Sequence, residues 1–220
     1  MDDAYILSHV DHTLLSATAS WSEIEKLCNE AIKYNTASIC IPPHYVKRVR
    51  SAFPALNIGS VIGFPLGYDS IAVKAVAAQT AVEDGVNELD MVINLADVKN
   101  GEYASIRTEI TVLKQIIAAK TLKVIIETCY LTEEEKIILC QIVTESGADY
   151  IKTSTGLGTA GATIDDIELF KKHIGPNVKM KAAGGIRSRE DMVAFLDAGC
   201  SRLGTSSAVK LLTGGEAGAY

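Results

Sequence analysis

Short runs of β-branched and other apolar residues recur along the chain, each parted from the next by a longer stretch with helical spacing. The runs Ile6–His12, Ala37–Ile41, Ile58–Ile62, Glu88–Ile93, Lys123–Glu127, Tyr150–Thr153, Val178–Ala182 and Arg202–Gly204 predict eight strands. Helices are predicted over Trp21–Tyr34, Ser70–Asp84, Tyr103–Ala119, Thr132–Ser146 and Ser188–Ala198. Thr132 ahead of Glu133, Glu134 and Glu135 forms a capping box with first-turn acids that suit the helix dipole, and Ser188 precedes Glu190 and Asp191 in the same way. Strands alternating with helices, without a low-complexity linker, predict one parallel α/β domain over residues 1–220. A flexible C-terminal tail is expected from about residue 213.

A weak internal repeat narrows the architecture. Glu83-Asp84-Gly85, Glu145-Ser146-Gly147 and Asp197-Ala198-Gly199 each read as a helix end with glycine just past it. Asp90, Lys152 and Gly204 stand five positions beyond these glycines, and Cys40 stands five beyond Asn35, another candidate cap. The glycines are 62 and 52 residues apart, room for two βα units each, which is the layout of a compact (β/α)8 TIM barrel. A doubly wound open sheet is the alternative. Its G-x-G-x-x-G turn after the first strand is absent, because Thr13-Leu14-Leu15 stands there, and the barrel is preferred.

Composition removes several classes of function. An apolar share of 48% and a charged share of 22% over 220 residues belong to a folded globular chain. A formal charge of −6 argues against nucleic-acid or polybasic membrane partners. No run is long and apolar enough to span a bilayer, and the acidic Met1-Asp2-Asp3 start is wrong for a signal peptide. Five cysteines without C-x-x-C spacing read as reduced thiols, so a cytoplasmic protein is expected. The four histidines lack H-x-x-x-H spacing, and neither a metal nor another cofactor is expected.

Strand parity gives the first chemical lead. Leu89 and Met91 flank Asp90, Ile151 and Thr153 flank Lys152, and Met180 and Ala182 flank Lys181. If the flanking residues pack outward on helices, the three charged side chains point into the barrel, with Lys123 and Lys179 sharing that parity. A lone buried lysine is as well explained by a structural ion pair as by catalysis. Two inward lysines with an aspartate are harder to explain structurally, because the like charges repel. Two cations ~5 Å apart at an effective dielectric of ~20 repel by roughly 3 kcal/mol, enough to bring a lysine from ~10.4 towards 8 and free an amine for Schiff-base chemistry.

Glycine-rich turns follow the last strands: Gly156 after strand six, Gly184-Gly185 after strand seven and Gly204-Thr205-Ser206-Ser207 at strand eight. Each glycine alone could be a tight turn, but together they fit backbone N–H groups cradling a phosphate. Arg187 could add charge there or be a solvated surface residue. His12 could line the mouth or be a satisfied structural histidine, and Cys40 reads as a buried filler.

Seven ordered motifs then carry a resemblance from about residue 6 to residue 210. They are Val10-Asp11-His12-Thr13-Leu14-Leu15, Val61-Ile62-Gly63-Phe64-Pro65-Leu66-Gly67, Glu88-Leu89-Asp90-Met91-Val92-Ile93-Asn94, Lys123-Val124-Ile125-Ile126-Glu127-Thr128, Tyr150-Ile151-Lys152-Thr153-Ser154-Thr155-Gly156, Lys181-Ala182-Ala183-Gly184-Gly185-Ile186-Arg187 and Arg202-Leu203-Gly204-Thr205-Ser206. The set closely resembles the deoxyribose-phosphate aldolases, class I aldolases on a (β/α)8 barrel. The resemblance implies reversible cleavage of 2-deoxy-D-ribose 5-phosphate to D-glyceraldehyde 3-phosphate and acetaldehyde. It makes Lys152 the Schiff-base lysine, with Asp90 and Lys181 as its proton-transfer and pKa-tuning partners. It gives the phosphate to Gly156, Gly184, Gly185, Gly204 and Ser206.

It also suggests Tyr220 as a residue that reaches the site from the tail, by chain position alone. Leu157 departs from relatives that carry a basic residue there. The implied partners are a sugar phosphate and an aldehyde, with a homodimer as the candidate assembly. Two competing readings are a transaldolase-like Schiff-base enzyme and a non-catalytic sugar-phosphate-binding barrel. The paired lysines of strands six and seven favour the first family over the former, and intact Lys152, Lys181 and Asp90 argue against the latter.

Overall fold

A computed structural model of the chain describes residues 1–214. Eight parallel strands close into a barrel in chain order: β1 (Val10–Thr13), β2 (Ser38–Ile41), β3 (Ile58–Ile62), β4 (Glu88–Val92), β5 (Thr121–Ile125), β6 (Tyr150–Lys152), β7 (Lys179–Ala183) and β8 (Arg202–Thr205). The helices are α1 (Asp3–Leu7), α2 (Trp21–Tyr34), α3 (Val46–Ala52), α4 (Ile71–Glu83), α5 (Leu95–Lys99), α6 (Tyr103–Ile117), α7 (Glu133–Glu145), α8 (Ile164–His173), α9 (Arg189–Ala198) and α10 (Ala208–Leu212).

Alternation along each strand divides the barrel chemically. Ile39, Ile58, Leu89, Met91, Val124, Ile151, Met180 and Leu203 join one apolar layer with helix residues such as Ile24, Ile106, Ile110, Leu139, Ile167 and Phe170. The intervening positions, among them Asp11, Ser38, Asp90, Lys123, Lys152 and Lys181, are buried and polar. Barrels of this type usually fill their interiors with branched apolar residues. A polar filling persists only where every charge finds a partner, so the fold obliges these residues to form a network.

The expected helices and strands differ from the observed ones mainly at their ends. The run Ile6–His12 does not form one strand. Asp2 Oδ1 accepts from Tyr5 N at 2.8 Å and caps α1, which buries Ile6 and Leu7, and β1 starts only at Val10. The fifth strand lies two residues earlier than its apolar run, at Thr121–Ile125, because Glu127 adopts a left-handed conformation and turns the chain. Asn35 and Gly199 take the left-handed conformation expected of helix caps, and Thr132 and Ser188 form full capping boxes. The tail expected from about 213 begins with a turn at Thr213 and Gly214; its remainder, with Tyr220, lies outside the described residues.

Candidate active site

Strand register brings the sequence-predicted charges together. Asp90 is paired in register with Lys123, Lys152 with Lys181, and Lys181 with Arg202. At that level the side chains meet on the barrel axis. Lys152 Nζ and Lys181 Nζ each donate to the same oxygen, Asp90 Oδ2, at 2.7 Å, while Lys123 Nζ donates to Asp90 Oδ1 at 3.0 Å. Lys181 is also bonded to Asp11, whose other oxygen takes Ser38 Oγ at 2.8 Å and Arg202. All of these groups except Arg202, which is partly exposed, are buried.

The electrostatics separate the two lysines. Burial alone would raise the Asp90 and Asp11 carboxyls. The surrounding ammonium groups outweigh it, with Arg202 added at Asp11, and hold both well below the usual carboxylate range. Burial would lower Lys181, yet its two carboxylates, Asp11 and Asp90, lift it above an ordinary lysine, so it stays protonated. Lys152 has one carboxylate, already shared; burial first and Lys181 second prevail over Asp90 and leave its amine below the ordinary value. Repulsion between the lysines is therefore only part of the cause. Desolvation is the larger influence on Lys152, and Asp90 holds the two amines together.

The polar mouth lies beside Lys152. A cavity of about 110 Å³ is bounded by Thr155 and Gly156 after β6, Gly184 to Arg187 after β7 and Gly204 to Ser207 at β8. Gly156, Gly184 and Gly185 all have positive φ, and a Cβ on Gly184 would stand 3.0 Å from Gly156 Cα and 3.1 Å from Gly161 Cα. Gly204 has a second reason to lack a side chain: its Cβ would stand 3.0 Å from Lys181 Cε. Ser206 and Arg187 are exposed on the rim of this cavity.

Other expectations sort themselves by position. Lys123 does enter the interior, but Lys179 stays exposed at the lower rim, with its ammonium 5.8 Å from the centre of the Tyr150 ring. His12 points away from the mouth and bonds Glu30 of α2 at 2.8 Å, where burial lowers its pKa. Cys40 faces the interior, and burial pushes its thiol up to about 11. Leu157 lines a separate, mostly apolar hollow with Leu15, Phe64 and Pro65, not the glycine-lined cavity.

Asp11, Glu88 and Arg202 belong to the network although the sequence-based parity covers only strands four to seven. Each sits next to an outward apolar residue (Val10, Leu89 and Leu203), so the same alternation reaches them. Glu127 is the other addition. Buried just past β5, it accepts Thr155 N with Oε1 at 3.1 Å and Oε2 at 3.3 Å, and so holds the loop that bounds the cavity.

Comparison with known proteins places the chain in a family. A model of the DeoC/LacD family aldolases matches residues 5–215. The deoxyribose-phosphate aldolase of Clostridium botulinum (strain Eklund 17B / Type B) is 59% identical over 221 residues, covering all of both chains. That of Clostridioides difficile (strain 630) is 54% identical over 209 residues, 94% of this chain and 95% of the relative. Among solved structures, the aldolase QR15 has a TM-score of 0.91 at 36% identity over 94% of each chain. The tetrameric deoxyribose phosphate aldolase from Aeropyrum pernix has a TM-score of 0.88 at 32% identity, over 96% of this chain and 91% of that one. With matches that span nearly its whole length, the chain belongs to the DeoC/LacD family of aldolases.

Proposed function

We propose that this chain, acting as one barrel domain, is a class I aldolase that reversibly cleaves 2-deoxy-D-ribose 5-phosphate to D-glyceraldehyde 3-phosphate and acetaldehyde. The observation that carries the reading is the asymmetric pair of lysines on one carboxylate oxygen, with Lys181 held charged and Lys152 relaxed towards the neutral amine. The relatives named for this activity support the choice of substrate.

In this reading the Lys152 amine adds to the C1 aldehyde of the open-chain sugar, and loss of water gives an iminium. The C3 hydroxyl loses its proton, the C2–C3 bond breaks, and its electron pair moves onto the iminium as an enamine while C3 becomes the aldehyde of the departing product. Protonation of the enamine at C2 and addition of water then release acetaldehyde and regenerate the amine. The iminium restores a positive charge at Lys152, and Asp90 already lies at hydrogen-bond distance as its counter-ion. Asp90 Oδ2, shared by both amines, offers the proton path between Lys152 and Lys181. The phosphate is assigned to the cavity bounded by Gly156, Gly184, Gly185, Gly204 and Ser206. Tyr220, outside the described residues, is kept as a candidate contributor.

The same reading includes a homodimer; self-association is supported by the tetramer of the Aeropyrum pernix relative. A cytoplasmic location follows from the substrate, a charged sugar phosphate that does not cross membranes unaided. The direct test is turnover. Deoxyribose 5-phosphate should yield both aldehydes at full rate after exhaustive chelation, since the iminium supplies the electron sink that a metal would otherwise provide. Activity lost with chelator and restored by zinc would overturn the mechanism, and no cleavage at all would leave the sugar-phosphate-binding alternative.

A further inference from the structure

The end of the barrel away from the glycine-lined cavity carries charges that the proposed reaction does not touch. Glu88, the first residue of β4, is buried there, with Arg202, the first residue of β8, beside it. Arg202 Nη2 donates to Glu88 Oε1 at 2.8 Å and Nη1 to Oε2 at 3.1 Å. Lys123 Nζ donates to Glu88 Oε2 at 2.5 Å and continues to Asp11 Oδ2 at 3.1 Å and Asp90 Oδ1 at 3.0 Å. Asp90 Oδ2 then holds Lys152. An unbroken run of ion pairs therefore joins the lower rim to the amine at the upper end.

Counting partners shows which amine is in excess. Among the described residues, this interior cluster contains three carboxylates: Asp11, Glu88 and Asp90. Lys123 contacts all three, Lys181 contacts Asp11 and Asp90, and Arg202 contacts Asp11 and Glu88. Three carboxylates balance three cations. Lys152 is the fourth, and its one carboxylate already serves two others. Removed from water, a cluster sheds its surplus charge at the group with the weakest hold on a counter-ion.

We propose that Glu88 and Arg202 are positioning residues of the reaction, which with Lys123 complete a charge-balanced barrel interior that leaves Lys152 as the neutral amine. The inference rests on the reading of Lys152 as the nucleophile and adds the source of its neutrality. Among the described residues, the other titratable groups facing Lys152 form no ion pair with it. From β2 comes Cys40, whose thiol stays protonated because burial raises it to about 11. After β5 comes Glu127, turned to the Thr155 N–H and raised by its own burial. Asp11 on β1 acts through Lys181 and Lys123, while Tyr150 and Lys179 stand at the lower rim.

The test is the pH dependence of borohydride trapping with acetaldehyde, read as labelled Lys152 peptide in the full-length enzyme. Arg202→Gln leaves a surplus negative charge, so Lys152 keeps its proton longer and the acid limb of trapping moves to higher pH. Glu88→Gln removes a negative charge and moves the limb to lower pH. Each shift should be about half a pH unit or more, the effect of one charge across about 10 Å of partly solvated protein. Arg202→Lys and the double variant Glu88→Gln/Arg202→Gln both keep the balance and should lie on the wild-type curve.

Structural damage alone would move both single variants the same way. Shifts of the same sign, both single variants on the wild-type curve, or a displaced limb in either balanced variant would overturn the proposal. If a single variant does not fold, the balanced pair decides by the same criterion. Label in the wild-type enzyme on a lysine other than Lys152 is a separate outcome, and it would refute the nucleophile itself.

Discussion

Lys152 and Lys181 differ by one carboxylate. Lys181 is bonded to Asp11 and Asp90, Lys152 to Asp90 alone, and that difference sets which amine is free to attack a carbonyl. Lys181→Leu removes a repelling cation from beside Lys152 and gives Asp90 more fully to it. Both changes favour the protonated Lys152, so trapping at neutral pH should fall by about tenfold or more and recover as the pH is raised. Trapping at the wild-type rate throughout would show that Lys181 does not tune its neighbour. Asp90→Asn withdraws the shared counter-ion of three buried ammonium groups. It should cost roughly 3–5 kcal/mol of stability, measured by urea unfolding, because breaking a buried pair leaves charges uncompensated. A loss below about 1 kcal/mol would mean that the cluster relaxes or hydrates easily.

At the scale of strands and loops, the site depends on the places where side chains are missing. The loops after β6 and β7 pack through glycines 156, 161 and 184, and positive φ at Gly156 and Gly184 excludes most other residues. Ser206 stands exposed on the rim of the same cavity. Ser206→Asp should raise KM steeply for deoxyribose 5-phosphate and much less for the unphosphorylated sugar, because only the former brings a charge to repel. Equal damage to both substrates would move the phosphate elsewhere. Much of this scale was legible in the chain. Period-two alternation around Asp90, Lys152 and Lys181 already aimed them inward, and glycines after helical runs marked the turns.

Residues whose meaning depends on a partner far along the chain were less legible. Nothing near Asp11 in sequence announces Lys181, and nothing near Glu88 announces Arg202, since barrel closure brings them together. The first strand was misplaced because an apolar pair, Ile6 and Leu7, can be buried equally well by a capped helix turn. Parity likewise placed Lys179 inside, but register puts it at the open lower end.

The barrel as a whole stores part of its stability as interior charge, which gives stability a definite pH dependence. Asp11 and Asp90 titrate well below an unfolded carboxyl near ~3.9, so their contribution is present above that value and is lost as the pH falls through their folded values. Lys123 and Lys181 titrate above an unfolded lysine near ~10.4, and their contribution is present below that value and lost only as the pH rises through their folded values. The urea midpoint should therefore drop as the pH is lowered beneath about 4, and the drop should be smaller in Asp90→Asn, which has one fewer such carboxylate to protonate. An equal drop in both would place the acid sensitivity in groups other than Asp90.

The central claim, that Lys152 is the attacking amine, has a more direct test. The enzyme is treated with acetaldehyde and borohydride at neutral pH, and the peptides are mapped by mass. A single ethyl adduct on Lys152, absent from Lys152→Leu, is the predicted result. An adduct on Lys181, or none on either lysine in an enzyme that turns over, would contradict the account.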